Sequence, residues 1–176
     1  MTEPLAAALA GRRIVEVAAV PGGRPDGRIQ VVAPALAGAG ADVVVARAPW
    51  TGRTGAAVLA LRRVLAGADL VHAHGLRAGL VAMAARRLPG GAAVPLVLTL
   101  DDPPRADGGG LGRVARSTVR SADLVLAGTG DLADAARRAG ARDVRVPPGG
   151  SGAAAGRHLV AVYRELLGDP TLVSRS

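Results

Sequence analysis

Two histidines separated by one residue form the clearest chemical pattern in this sequence. His72 and His74 end a short apolar run, and residues two apart in a strand point to the same side. Such a pair can contact a substrate, form hydrogen bonds as buried structural histidines, or bind a metal ion. Zinc would need a third ligand, which Asp101 could supply from the end of the next apolar run. We expect substrate contact by His72 and His74, and no metal.

Two acids follow the apolar run PLVLTL. Asp101 and Asp102 come directly before two prolines. Carboxylates at a strand end can act as a general acid or base, or hold a sugar hydroxyl. Aspartate and proline are also common in turns, so a turn without chemistry is the alternative. We predict Asp101 as the catalytic residue and Asp102 as a substrate ligand.

A glycine-rich loop follows the first apolar run. It reads PGGRPDG and contains Gly22, Gly23 and Arg24. Glycines allow a ligand to approach the backbone closely, and the start of the next helix favours an anion. A turn that simply requires glycine is the alternative. We expect these three residues to bind substrate.

A second glycine motif precedes a predicted helix late in the chain. Residues Gly128 to Ala133 match G-x-G-x-x-A, the dinucleotide-binding pattern. That pattern expects an acid about 20 residues later to hold the ribose, but the chain there has VPPG. We therefore predict a capped helix start and no tightly bound nucleotide cofactor.

Composition limits the class of protein. The 176 residues, 49% of them hydrophobic, suit one globular domain, and the absence of cysteine excludes disulfides, zinc–thiolate sites and a cysteine nucleophile. The charge of +8 comes from arginine without any lysine, which indicates a GC-rich genome. These arginines are scattered and have few aromatic neighbours, so nucleic acid is an unfavoured partner. A phosphorylated substrate or an anionic membrane surface would suit them better.

The N-terminal residues are a poor signal peptide, and no apolar run reaches the length of a membrane span. We therefore expect a cytoplasmic protein, with peripheral contact to the inner face of the membrane as an alternative.

Strands and helices alternate along the chain. Continuous apolar runs separated by helical periodicity predict an α/β fold with a doubly wound, mostly parallel, Rossmann-like sheet and helices on both faces. If the third strand pairs with the first on the side opposite the second, the loops after Val20, Ala73 and Leu100 meet at one crevice. The predicted strands are Arg13–Val20, Asp42–Arg47, Leu70–Ala73, Pro95–Leu100, Leu124–Ala127 and Val144–Val146.

Several segments resemble the N-terminal half of bacterial family-4 glycosyltransferases. They are Ala68–Arg87, Pro95–Asp101, Ser121–Ala127 and Gly140–Gly149, within a resemblance that covers residues 12–149. The resemblance implies the GT-B fold, in which two Rossmann-like domains face each other across a cleft. It also implies retaining transfer of a hexosyl group from a sugar nucleotide, which is the expected co-substrate. In this family the N-terminal domain binds the acceptor and the C-terminal domain binds the sugar nucleotide.

The resemblance assigns roles to residues that match the family's motifs. Gly22 and Gly23 correspond to its glycine loop, which lies near the donor phosphates and the acceptor. His72 and His74 correspond to its His-x-His segment, and Thr129 stands where the family commonly has a serine. Asp101 is a departure, because the family has a histidine there that contacts the transferred sugar.

The larger departure is that the donor domain is absent from this sequence. We predict a Rossmann-like domain over residues 1–148, a glycine-rich linker over 149–155, and an amphipathic helix over 156–170 that packs back on the domain. The last segment resembles the final helix of intact family members. The resemblance therefore implies an acceptor-binding domain that needs a donor domain on a separate chain, or pairs with a second copy of itself.

Two alternatives to this function remain. One is a non-catalytic binding or partner module, or a degenerate remnant of a transferase. The other is a small Rossmann-like enzyme that binds a nucleotide or a metal.

Overall fold

The apolar runs form one six-stranded parallel sheet. A computed structural model describes residues 7–20, 27–49, 54–89, 93–104, 110–148 and 153–168. The strands are β1 Arg13–Val20, β2 Asp42–Pro49, β3 Leu70–His74, β4 Leu96–Leu100, β5 Leu124–Ala127 and β6 Val144–Arg145. The helices are α1 Gly27–Gly38, α2 Thr54–Leu65, α3 Gly75–Arg87, α4 Gly110–Ser121, α5 Gly130–Arg138 and α6 Ala153–Leu166.

The strand order is β2-β1-β3-β4-β5-β6, and every neighbouring pair is parallel. β3 pairs with β1 on the side opposite β2, with Ile14 opposite Leu70. The predicted α/β class and doubly wound parallel sheet are therefore confirmed. The predicted reversal of strand order is also present, at β1 and β3. In such sheets, ligands bind outside the carboxyl ends of the strands beside the reversal.

Some element boundaries differ from the predicted ones. β2 continues to Pro49 because it pairs with β1 along its whole length, with Val20 opposite Pro49. β3 includes His74, which pairs with Thr99. α6 begins at Ala153, within the predicted linker, and ends at Leu166.

The two faces of the sheet pack against different helices. One face contacts α2, α3, α4 and α5 through buried aliphatic residues such as Leu61, Leu65 and Val119. The other face contacts α1 and α6, and its buried members include Leu36, Leu159 and Tyr163. α6 thus covers the same face as α1, and the side chain of its Tyr163 is completely buried. Within the described part of the chain, no helix is both long and apolar enough to cross a bilayer.

The contact between α1 and α6 depends on one glycine. A Cβ atom on Gly156 would lie 2.5 Å from the Cβ of Ala35, well inside the roughly 3.5–4.0 Å of normal carbon–carbon contact. We expect Gly156→Ala to lower the free energy of unfolding by roughly 1–3 kcal/mol through overpacking, measured by urea denaturation. In a double-mutant cycle, Ala35→Gly should recover part of that loss. Strictly additive effects would contradict the contact.

Candidate functional site

Four polar side chains lie together on the face of the sheet covered by α6. In the strand register, Glu16 of β1 is opposite His72 of β3, and His74 is opposite Thr99 of β4. Their exposed fractions are only 0% for Glu16, 1% for His72, 6% for His74 and 9% for Thr99. Buried polar groups are costly unless they are hydrogen-bonded, so their partners determine what this cluster can do.

One carboxylate oxygen of Glu16 is close to both imidazoles. Glu16 Oε2 is 2.6 Å from His74 Nε2 and 3.2 Å from His72 Nδ1. The two rings lie side by side, with 4.2 Å between their centroids and an angle of 37° between their planes. This closeness follows from the alternation of side chains in a strand, which places residues 72 and 74 on one face.

α6 adds a fifth member to the cluster. The Tyr163 hydroxyl donates a hydrogen bond of 3.2 Å to Glu16 Oε1 and lies 2.5 Å from His72 Nδ1. On the other side of the ring, His72 Nε2 is 2.6 Å from Thr99 Oγ1. Both ring nitrogens of His72 therefore have partners. His74 Nδ1, in contrast, is buried and has no hydrogen-bond partner among the described residues.

Burial and charge set the protonation states of the cluster. Burial alone would raise the pKa of Glu16, but the charges and hydrogen bonds of His72 and His74 outweigh it and lower that pKa to about 2. Burial lowers the pKa of His72, against the opposing attraction of Glu16. Burial, reinforced by the charge of Glu16, raises the pKa of Tyr163. At neutral pH the cluster therefore contains an ionised carboxylate, a neutral His72 imidazole and a protonated phenol.

The structure separates the predicted site residues into two environments. His72 and His74 lie within the buried cluster, whereas Asp101 and Asp102 follow β4 and are exposed. Among the described residues, Glu16 rather than Asp101 is the acid close enough to the two histidines to be a third ligand. The register of β1 and β3 is the reason, since it pairs Glu16 directly with His72.

Thr129 is exposed and caps α5. Its side-chain oxygen accepts a 3.3 Å hydrogen bond from the backbone N–H of Leu132, as an N-cap residue should. The predicted capped helix start is therefore confirmed. Gly22, Gly23 and Arg24 lie outside the described residues, so their predicted substrate contacts stay predictions.

Sequence reasoning missed three members of the cluster, namely Glu16, Thr99 and Tyr163. Glu16 is the only acid in the run RIVEVAAV, and a charge in a buried strand needs a partner. That signal was present in the sequence. Tyr163 lies within the amphipathic helix predicted over residues 156–170, and that pattern accounts for its burial but gives no partner for its hydroxyl.

Arginines that are dispersed in the sequence meet in space. Arg87 of α3 and three arginines of α4, Arg113, Arg116 and Arg120, line a groove of about 460 Å³ together with Ser117. The groove lies between two helices, on the face of the sheet opposite α6. Guanidinium groups arranged in this way favour phosphate or another anion.

Two comparisons with known proteins found similarities, one in fold and one in sequence family. No curated protein sequence matches this chain. A solved structure, "Anabaena Alr3699/HepE in complex with UDP and glucose", is similar in fold, with 18% sequence identity and a TM-score of 0.55. The similarity covers 80% of this chain and 45% of that chain, so the present chain spans less than half of that protein. The sequence model described as "Glycosyl transferase 4-like domain" matches residues 1–150. Because that match includes most of the chain, the protein belongs to the glycosyl transferase 4-like family.

Proposed function

We propose that this chain is the acceptor-binding half of a glycosyltransferase. It would take part in hexosyl transfer from a sugar nucleotide only together with a donor domain on another chain or another part of the protein. The family match over residues 1–150, combined with coverage of 45% of a GT-B relative, carries this proposal. That relative was solved in complex with UDP and glucose, which supports a sugar nucleotide as co-substrate.

The proposed acceptor site lies at the carboxyl ends of β1, β3 and β4. Exposed Asp101 and Asp102 follow β4, and His74 ends β3 at the start of α3. Of the two histidines, we assign the substrate contact to His74, because its Nδ1 has no partner while both nitrogens of His72 are bonded. The exposed hydroxyl of Thr129, the glycine loop with Gly22 and Gly23, and Arg24 complete the proposed set.

Transfer of this kind depends mainly on positioning and electrostatic stabilisation. The acceptor hydroxyl must be held against the anomeric carbon while the leaving phosphates are stabilised from the opposite wall of the cleft. A single Rossmann-like domain provides one wall. We therefore propose that this chain has no transfer activity by itself.

A non-catalytic binding module is the second candidate. It is favoured by the burial of His72 and His74. Their hydrogen-bond partners are side chains inside the domain, namely Glu16, Tyr163 and Thr99, rather than groups in a cleft. It is also favoured by Asp101, since a carboxylate lacks the N–H donor that an imidazole offers. In this case the domain would still bind a sugar but would have lost its part in transfer.

Isothermal calorimetry tests the acceptor site directly. We expect the purified chain to bind simple glucosides used as acceptor probes, and Asp102→Ala to weaken this binding roughly tenfold through loss of one hydrogen bond. The matched control is Asp42→Ala, because Asp42 is also exposed but starts β2 at the opposite edge of the sheet. Gly23→Trp, which should obstruct the glycine loop, is expected to abolish binding.

Three results would overturn parts of this proposal. If neither the glucosides nor UDP-glucose bind, the chain has no acceptor site and the transferase resemblance describes ancestry only. If the isolated chain transfers glucose from UDP-glucose, it needs no separate donor domain. Equal binding by the Asp102 and Asp42 variants would remove Asp102 from the site.

A further inference from the structure

Three atoms that commonly bind metals converge inside the domain. Glu16, His72 and His74 each offer one ligand atom, and these atoms lie within 4.8 Å of one another. The imidazole nitrogens concerned are His72 Nδ1 and His74 Nε2, which both approach Glu16 Oε2. Two imidazole nitrogens and one carboxylate oxygen form the ligand set of many zinc sites and of non-haem iron(II) sites.

Outer hydrogen bonds hold two of these ligands in orientations suited to a metal. His72 Nε2 is 2.6 Å from Thr99 Oγ1, and donation of its proton to Thr99 would leave a lone pair on Nδ1. The Tyr163 hydroxyl lies 2.5 Å from Nδ1, so a metal bound there would replace that contact and leave the hydroxyl with Glu16. The Tyr163 hydroxyl donates to Glu16 Oε1, which leaves Oε2 for the centre. Metal-binding histidines and carboxylates are typically supported in this way by a second set of hydrogen-bond partners.

Among the described residues, the hydrogen bonds and ion pairs that the structure gives the Glu16 carboxylate include no guanidinium group. The contacts of the Glu16 carboxylate within the described residues are His72, His74 and Tyr163. A fully buried carboxylate is tolerated when it is paired with positive charge or bound to a metal. A cation held between the three ligands would supply that charge.

We propose that Glu16, His72 and His74 bind a divalent transition metal ion of the zinc class, with Thr99 and Tyr163 as outer hydrogen-bond partners. This site shares His74 with the proposed acceptor site: the metal would bind Nε2, which faces Glu16, whereas the acceptor contact is assigned to Nδ1. It also departs from the sequence-based expectation of no metal, and it has Glu16 rather than Asp101 as its carboxylate ligand. A buried site of this kind would be filled as the chain folds, so the metal would contribute to folding free energy.

Metal content of the protein tests the site. The chain is purified without a histidine tag, and zinc is measured by plasma mass spectrometry as isolated and after refolding with excess Zn²⁺. We expect about one equivalent per chain. His74→Gln and Glu16→Gln should remove most of it, whereas His158→Gln and Asp101→Asn should retain it. His158 is the matched control because it is the one histidine outside the cluster.

Cobalt provides a measurement that needs no variant. Refolding with Co²⁺ should give the visible absorption bands of a cobalt ion bound by nitrogen and oxygen ligands.

Thr99→Val should weaken zinc binding by roughly 10–100-fold, as loss of an outer partner does elsewhere.

The proposal is overturned if the wild-type chain binds neither zinc nor cobalt by either route, which would make Glu16 and His74 a buried hydrogen-bonded pair without a metal. Equal zinc content in the ligand variants and in the His158 control would also overturn it. None of these measurements involves a sugar, so failure of the metal site is distinguishable from failure of the acceptor site.

Discussion

Replacement of Glu16 by alanine is expected to lower the free energy of unfolding by about 3–5 kcal/mol, the usual cost of removing one partner from a buried charged network. The substitution leaves His74 Nε2 and the Tyr163 hydroxyl without their acceptor in a site closed to water. Urea denaturation followed by circular dichroism measures this loss. Glu16→Gln keeps the size and one acceptor oxygen, so it should cost less than alanine.

Glu165 provides the matched control for this substitution. It is also a glutamate with hydrogen-bonded partners, since it forms an ion pair with Arg145, but 54% of its side chain is exposed. Exposed ion pairs contribute little because water and salt screen them, so Glu165→Ala should cost less than about 1 kcal/mol. If the two alanine variants lose the same stability, the buried network does not contribute to folding in the way described.

The sequence predicts the architecture of this protein well because the signals involved are local. Apolar runs such as PLVLTL become buried strands, and each run ends near a glycine, a proline or an aspartate that the chain needs for its turn. The cap of α5 is equally local, because Thr129 and the Leu132 N–H that it accepts are three residues apart. Right-handed crossover connections between these elements favour a doubly wound sheet, and the pairing of β3 with β1 on the side opposite β2 then sets the strand order.

The cluster around Glu16 could not be predicted in the same way, because its contacts join distant parts of the chain. Tyr163 and Glu16 are separated by 147 positions, and their contact requires α6 to lie on the same face as α1. The periodicity of α6 shows that Tyr163 faces a core, but it does not show which strand lies beneath it. Similarly, the His-x-His pattern predicts two side chains on one face, and only the register of β1 against β3 adds Glu16.

Tyr163→Ala is the second substitution with a large expected effect. Tyr163 is fully buried in the core formed with α1 and the sheet, and truncation of a large buried aromatic side chain costs about 3–5 kcal/mol. Tyr163→Phe keeps the ring and removes only the hydroxyl, so it should cost about 1–3 kcal/mol for the lost hydrogen bond to Glu16. Arg157→Ala, an exposed position on the same helix, is the control for changes that only affect α6 itself.

The two tyrosine variants separate packing from hydrogen bonding. If both packing and the hydrogen bond hold α6 on the domain, Tyr163→Phe should lower the free energy of unfolding by only part of the loss seen for Tyr163→Ala. The effect of Tyr163→Phe should also largely disappear in a Glu16→Ala background, because the hydroxyl has already lost its acceptor there. An undiminished effect in that background would mean that the hydroxyl acts through His72 alone. If phenylalanine costs nothing even in the wild-type chain, α6 is attached by its apolar face only, and the helix covers the cluster without taking part in it.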